Sequence, residues 1–256
     1  MNDTFIIPQT LRELSEKGFL EAKNPHPLDD ILGFEEEGHH YFVRGIRHDE
    51  LHYLSSTTFL GTFFPKFNKE LAISYIFRSS RYGNDETYRY YRMSEEDILK
   101  QWDDLGTAAC NLGSLFHVNV EYHCNNMAIV DNSPEFQQYL NFREDYPHLI
   151  PWRTEMLILH EEYRIVGSVD AIFKDERNGK FLIIDWKRSK EIKFKGGDKG
   201  YFPLEHLKGN NSTKYSIQLS LYRFILETVY GLDMSNSVLL VCHPNQKNYN
   251  YIETKY

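Results

Sequence analysis

Gly167-Ser168-Val169-Asp170-Ala171-Ile172-Phe173-Lys174 leads into Asp175-Glu176-Arg177-Asn178-Gly179-Lys180 and then Phe181-Leu182-Ile183-Ile184-Asp185-Trp186-Lys187. Two short apolar runs around a turn carrying Asn-Gly predict an antiparallel hairpin, because Asn and Gly tolerate the positive φ that such turns need. The hairpin brings Asp170 and Asp185 to neighbouring strands. Side chains alternate along a strand, so Asp185 and Lys187 project on one side and Trp186 on the other.

Two neighbouring aspartates repel, and without a counter-ion one of them tends to keep its proton. A divalent cation between them removes that cost. A few carboxylate oxygens, with the remaining positions left to water and phosphate, suit Mg²⁺. Such an ion activates water and neutralises phosphate charge, and a lysine beside it adds a point charge. The expected chemistry is metal-dependent phosphodiester hydrolysis. An acidic residue two before a lysine also occurs at Glu21, Glu191 and Glu253, but only Asp185 ends a buried-looking strand preceded by Gly-x-x-Asp. The plain alternative is an ordinary hairpin with a surface ion pair.

Gly167-Ser168-Val169-Asp170, Ile184-Asp185-Trp186-Lys187 and the later Gln218-x-x-x-Tyr222 together resemble the RecB-like branch of the PD-(D/E)xK nuclease superfamily. Within that branch they are most similar to the group of mitochondrial genome-maintenance and lambda exonucleases. The likeness runs from about Gly113 to Tyr222. It implies that His117, in Gly113-Ser114-Leu115-Phe116-His117, joins the metal shell, where a lone helical histidine is otherwise more often structural; neutral imidazole suits Mn²⁺ well. It also implies that Glu155, one strand ahead of Gly-x-x-Asp, contributes to the site. Strand alternation puts Glu155 on a mainly apolar side with Leu157 and Leu159, where it needs a cation or a salt bridge. Gln218 and Tyr222, four apart on one helix face, form either an ordinary polar stripe or, as the resemblance implies, a contact to DNA or to the water around the metal. Glu121, one turn beyond His117, is left unassigned.

The remaining chain supplies the frame. Thr10-Leu11-Arg12-Glu13 is a capping box opening a helix to about Ala22, and Asn24-Pro25-His26-Pro27 breaks it. From Phe34 to Leu60, β-branched and aromatic residues predict two strands around Gly45. A helix follows over residues 69–79, a tyrosine- and arginine-rich linker over 82–92, and a longer helical segment from Ser94 to about Asn126. Ser133-Pro134 starts a helix that ends before Pro147. The strand Arg153–His160 precedes the hairpin. Asn211 opens a helix stopped by Gly231, and a buried strand around Val238 and an edge strand around Tyr251 close the chain.

The chain of 256 residues is 41% hydrophobic and 15% aromatic, long enough for one sizeable core. The expected architecture is α/β: a mixed central sheet flanked by helices, with a partly helical N-terminal region over residues 1–110 and the nuclease core over 111–256. Neither a membrane span nor a signal peptide is expected. Three cysteines suggest a reducing, intracellular compartment and cannot hold a four-cysteine iron–sulfur cluster. Cys110, His117 and Cys124 share a helix face but stand about 10 Å apart per step, too far for one zinc ion. They are expected to be buried thiols and a separate imidazole. His206 and His243 match no motif.

A net charge of −8 excludes a protein that coats DNA through bulk electrostatics. Charge is concentrated locally, at Lys187, Arg188, Lys190, Lys193, Lys195 and Lys199, with Tyr201 and Phe202 directly after. Cations beside aromatics suit a single DNA strand; a solvated loop is the other reading. The resulting expectation is an Mg²⁺- or Mn²⁺-dependent deoxyribonuclease, an exonuclease by the branch it resembles, acting on single-stranded or end-bearing DNA within replication, recombination or repair. Asp170, Asp185, His117 and Glu155 hold the metal and Lys187 assists the attack, so Lys187→Ala is expected to abolish turnover with little effect on folding. The alternatives are an endonuclease of the same superfamily, a non-catalytic nucleic-acid-binding protein on a decayed nuclease fold, and an unrelated two-carboxylate enzyme such as a glycosidase.

Overall fold

The structure, a computed structural model, describes residues 20–254. The expected N-terminal helix lies outside them except for its end, α1 (Leu20–Lys23). A 3₁₀ turn at Pro27–Ile31 leads into β1 (Leu32–Glu35), β2 (His40–Val43) and β3 (Ile46–Arg47), a small antiparallel sheet. The turn falls at Gly45 as expected, with φ of 76°. The second expected strand does not continue to Leu60. Only β4 (Leu54–Ser55) is extended, and Ser56–Gly61 forms α2. The Ser55 hydroxyl accepts the Thr58 N–H at 3.1 Å, so a side-chain cap overrides the β preference of the Thr-rich run.

Two further helices follow, α3 (Lys69–Arg78) and α4 (Glu95–Cys124). The latter starts at Ser94, whose hydroxyl caps the Asp97 N–H, and runs unbroken across residue 110. Its first half packs Ile98 against Ile73 and Ile76 of α3, and its last turns pack Phe116, Val120 and Cys124 on the main sheet. Between these cores residues 103–112 face solvent, so Cys110 is exposed while Cys124 and Cys242 are buried. The expectation that Cys110 and Cys124 are both buried on one helix face therefore holds for Cys124 and fails at Cys110, which sits where α4 bridges two cores. Among the described residues, no helix is long and apolar enough to cross a membrane.

After α5 (Pro134–Asp145) come β5 (Leu149–His160), β6 (Ile165–Asp175) and β7 (Phe181–Arg188), then α6 (Asn211–Thr228), β8 (Met234–Cys242) and β9 (Asn250–Glu253). The main sheet has the order β4-β6-β7-β8-β9, with β5 on the other edge of β6. β6 to β7 and β8 to β9 are antiparallel, β4 to β6 and β7 to β8 parallel. This is the expected α/β class, with a mixed sheet. α4 and α5 cover one face, packing Phe116, Tyr139 and Phe142 on Phe173, Ile184 and Trp186. α6 covers the other, packing Leu219, Ile225 and Leu226 on Ile172, Ile183 and Leu239. Trp186 is 1% exposed, with the rings of Tyr139, Phe142 and Phe173 at 5.5, 6.2 and 6.0 Å. Truncating such a side chain typically costs about 3–5 kcal/mol, which makes Trp186 a core residue and leaves the chemistry to its neighbours.

One irregularity places the site. β5 pairs with β6 along nearly its whole length, while the opposite edge of β6 is shared. β4 pairs there with Ile165 and Val166, and β7 with Ala171 through Lys174. Residues 167–170 lie between, paired with neither strand, so the sheet forks there. Asp170 stands at the point where β7 diverges.

Candidate metal centre

Asp170 ends the β6–β7 ladder with its own side chain: Trp186 N–H donates to Asp170 Oδ2 at 3.0 Å, beyond the last backbone pair, Ala171 with Ile184. Val169 and Ala171, two apart, lie in opposite-face cores, so the alternation of β6 breaks at Asp170. On β5 the facing residue is Glu155. Its neighbours Thr154 and Met156 pair with Ala171 and Val169, but Glu155 itself has φ of 44°. A left-handed residue inside a strand is strained by about 1–3 kcal/mol and persists only where its surroundings impose it. The strain turns the Glu155 carboxylate towards Asp170 and His117.

His117 comes from the last turns of α4. Its Nε2 lies 2.9 Å from Trp186 O and donates to that carbonyl, which leaves the Nδ1 lone pair facing Asp170 Oδ2 at 3.6 Å and Glu155 Oε1 at 3.9 Å. Burial lowers the proton affinity of the imidazole, with Asp170 opposing the effect, so His117 is a neutral donor near pH 7. Burial raises the Glu155 carboxyl well above the ordinary carboxylate range, and Asp170 and Glu121 add to the rise. Ser168 Oγ donates to Glu155 Oε2 at 3.2 Å. Among the described residues no lysine or arginine pairs with Glu155, which sets aside the salt-bridge explanation of its place. One ligand atom from each of His117, Glu155 and Asp170 lies within 4.8 Å of the others. An imidazole nitrogen with two carboxylates, one of them raised in proton affinity, is a donor set that could hold a metal ion.

Asp185 is placed differently from the expectation that it shares this ligand group. It projects to the α6 side with Lys187, as alternation requires, and its Oδ2 is 2.6 Å from Lys187 Nζ. Asp185 is 3% exposed. Burial pushes its carboxyl up to about 7, with Lys187 pulling the other way. The ammonium holds its proton tightly against the cost of burial, because Asp185 and Asp170 both face it. Lys187 Nζ is 3.9 Å from Asp170 Oδ2 and lies over the Tyr215 ring at 5.2 Å. Lys187 therefore bridges the two aspartates of the hairpin and borders the metal-ligand cluster. Glu121, raised to about 7 by burial with Glu21 and Glu36 adding, stands outside that cluster.

The remaining expected residues divide. Lys190, Lys193 and Lys195 are exposed on the loop after β7, as are Phe194, Tyr201 and Phe202. Arg188 is not free for phosphate: its guanidinium pairs with the buried carboxylate of Glu135 on α5. The alternation that points Trp186 inwards points Arg188 the same way, so its charge needs a partner inside. Gln218 Nε2 donates to Tyr222 Oη at 2.8 Å, and Tyr222 is buried. Two residues that the sequence reading did not assign also belong here, Ser168 beside Glu155 and Ser56, whose Oγ is 2.9 Å from Tyr222 Oη.

No family model matches the chain, and no curated protein matches it significantly. Solved structures do match, among them the crystal structure of SSO0001, 15% identical over 79% of this chain and 67% of that one, with a TM-score of 0.32.

Proposed function

We propose that this protein is a metal-dependent deoxyribonuclease of the RecB-like PD-(D/E)xK type, an exonuclease working on single-stranded or end-bearing DNA. The observation that carries the proposal is the convergence, at the fork in the sheet, of His117, Glu155 and Asp170 beside the Lys187–Asp185 pair. His117 Nδ1, Glu155 and Asp170 would hold an Mg²⁺ or Mn²⁺ ion. When bound, such an ion activates water and neutralises charge on the scissile phosphate.

The residues have separable tasks. The Trp186 carbonyl fixes the imidazole tautomer so that Nδ1 keeps its lone pair. Asp170, anchored by the Trp186 N–H, is held rigidly at the mouth of the fork. Lys187 stays protonated between Asp185 and Asp170, and supplies a cation for the charge that develops on the phosphoryl oxygens. Asp185 orients that ammonium. The exposed lysines and aromatics of the loop after β7 supply cations and stacking surfaces for a strand approaching this edge. In the test, end-labelled linear and covalently circular single-stranded DNA are incubated with Mn²⁺, Mg²⁺ or EDTA, with Asp185→Ala in parallel. The expected result is loss of the linear strand alone, abolished by EDTA and by the substitution. Cutting of the circle would reassign the protein as an endonuclease, and no cutting with binding retained would remove the catalytic reading.

A further inference from the structure

Beside Gly167, on the β4 side of the fork, lies a hydroxyl chain that none of the chemistry above uses. Ser56, the first residue of α2, follows directly on β4 and is 1% exposed. Its Oγ is 2.9 Å from Tyr222 Oη, and Gln218 Nε2 donates to the same phenol oxygen at 2.8 Å. Either hydroxyl can donate across the Ser56–Tyr222 contact; with the phenol oxygen already accepting from the amide, the arrangement that also gives the phenol proton a partner sends it to Ser56 Oγ. In that arrangement the chain runs in one direction, from Gln218 through Tyr222 to Ser56, and joins α2, which follows β4, to α6 on the sheet face.

Gly167 shows how tightly this contact is built. A Cβ there would stand 2.8 Å from Ser56 Oγ, closer than packed atoms sit, and 3.1 Å from Tyr222 Cε1, tighter than most packed contacts. The glycine of Gly-x-x-Asp is thus required by the approach of Ser56 and Tyr222 to β6, three residues before Asp170. Burial, with Asp170 and Asp185 adding to it, raises the phenol to about 12, so it carries its proton at any working pH.

We propose that Ser56 is a positioning residue for the nucleic-acid site proposed above: by taking the phenol proton of Tyr222 it holds the Gln218 amide in one of its two orientations, with the carbonyl oxygen turned away from Tyr222. An amide side chain offers a donor on one side and an acceptor on the other, and the network around it decides which faces a ligand. Removing the Ser56 hydroxyl releases the phenol proton, which then donates to Gln218 Oε1 and reverses the amide. The group presented to a bound strand changes from acceptor to donor. The inference rests on the nucleic-acid reading of the site, but not on catalysis.

The experiment measures binding of a fluorescent single-stranded oligonucleotide in EDTA at low salt by anisotropy, for the wild type, Ser56→Ala, Gln218→Ala and the double variant. Cleavage in Mn²⁺ is recorded separately. Ser56→Ala is expected to weaken binding about tenfold, the size of one misdirected hydrogen bond, and by less than twofold in the Gln218→Ala background. Tyr222→Phe removes both the oxygen that accepts from the Gln218 amide and the proton that could reverse it, so the amide is freed without being reversed. Binding should then weaken by only about two- to threefold, less than for Ser56→Ala, and this holds even if Ser56→Ala folds poorly. Equal losses in both backgrounds, or a lowered melting temperature with unchanged binding, overturn the inference and make Ser56 a packing residue. Absence of wild-type binding overturns it together with the nucleic-acid reading. Binding that follows the expected cycle without any cleavage in Mn²⁺ leaves Ser56 in its role and removes the nuclease reading alone.

Discussion

Lys187→Ala should cost stability as well as turnover, against the expectation from sequence that folding would hardly notice it. Asp185 is 3% exposed and its Oδ2 lies 2.6 Å from Lys187 Nζ. Removing one member of a buried pair costs about 3–5 kcal/mol when the other stays charged. In a chain of this size each kcal/mol moves the melting temperature by roughly 2–4 °C, so the loss approaches roughly 6–20 °C at the alkaline end, where Asp185 ionises in the variant too, and is smaller at lower pH. The loss depends on pH in a defined direction. Burial pushes the Asp185 carboxyl up to about 7 even with Lys187 present, well above the ordinary carboxylate range, and without the ammonium it rises further. Between the unfolded and folded values the folded state binds the extra proton, so stability falls as pH rises, by up to about 1.4 kcal/mol per pH unit. Thermal unfolding of the wild type, Lys187→Ala and Lys187→Ala/Asp185→Asn from pH 5 to pH 9 measures this. The single variant should diverge from the wild type with rising pH, and the double should regain most of the loss at pH 9. A single variant melting within 2 °C of wild type at pH 9, or showing no pH dependence, would refute the argued burial of the pair.

Three further outcomes follow from the same geometry. Mn²⁺ binding should strengthen with rising pH and release up to about one proton per ion, since the metal-free fold raises the proton affinity of Glu155 and lowers that of His117; calorimetry in buffers of different ionisation enthalpy reads that release, and Glu155→Gln should remove it. Glu135→Ala should destabilise by about 3–5 kcal/mol, because Arg188 loses its buried partner, while Lys193→Ala and Lys195→Ala, both on exposed residues, should leave the denaturation midpoint unchanged and reduce the salt dependence of DNA binding. Gly167→Ala should destabilise by about 1–3 kcal/mol, the usual cost of overpacking, because its Cβ meets Ser56 Oγ at 2.8 Å; unchanged melting would mean that Ser56 can move aside.

What was legible in the sequence is what local pattern encodes. The Asn-Gly turn and two apolar runs give the hairpin, and strand alternation separates Asp185 and Lys187 from Trp186. Cap residues start α4 at Ser94 and α5 at Ser133. The illegible parts are those made by contacts far apart in the chain. That β6 shares one edge between β4 and β7 is invisible along the sequence, and with it the fork, because Ser55 meets Val166 only in the fold. The left-handed backbone at Glu155 carries no glycine to announce it. Alternation correctly places Asp185 beside Lys187, yet only the distances reveal that Lys187 occupies its carboxylate and leaves His117, Glu155 and Asp170 as the cluster. Ser56, the first residue of α2, is visible in the sequence, but its tie to Tyr222 spans 166 residues.

The central claim is that these three side chains form one metal site, and the most direct measurement is a crystal grown or soaked in Mn²⁺ with data at the manganese absorption edge. The account predicts one anomalous peak bonded to His117 Nδ1 and to carboxylate oxygens of Glu155 and Asp170, with Lys187 still on Asp185. A protein that takes up no Mn²⁺ there, or binds it only on the exposed carboxylates of the surface, contradicts it.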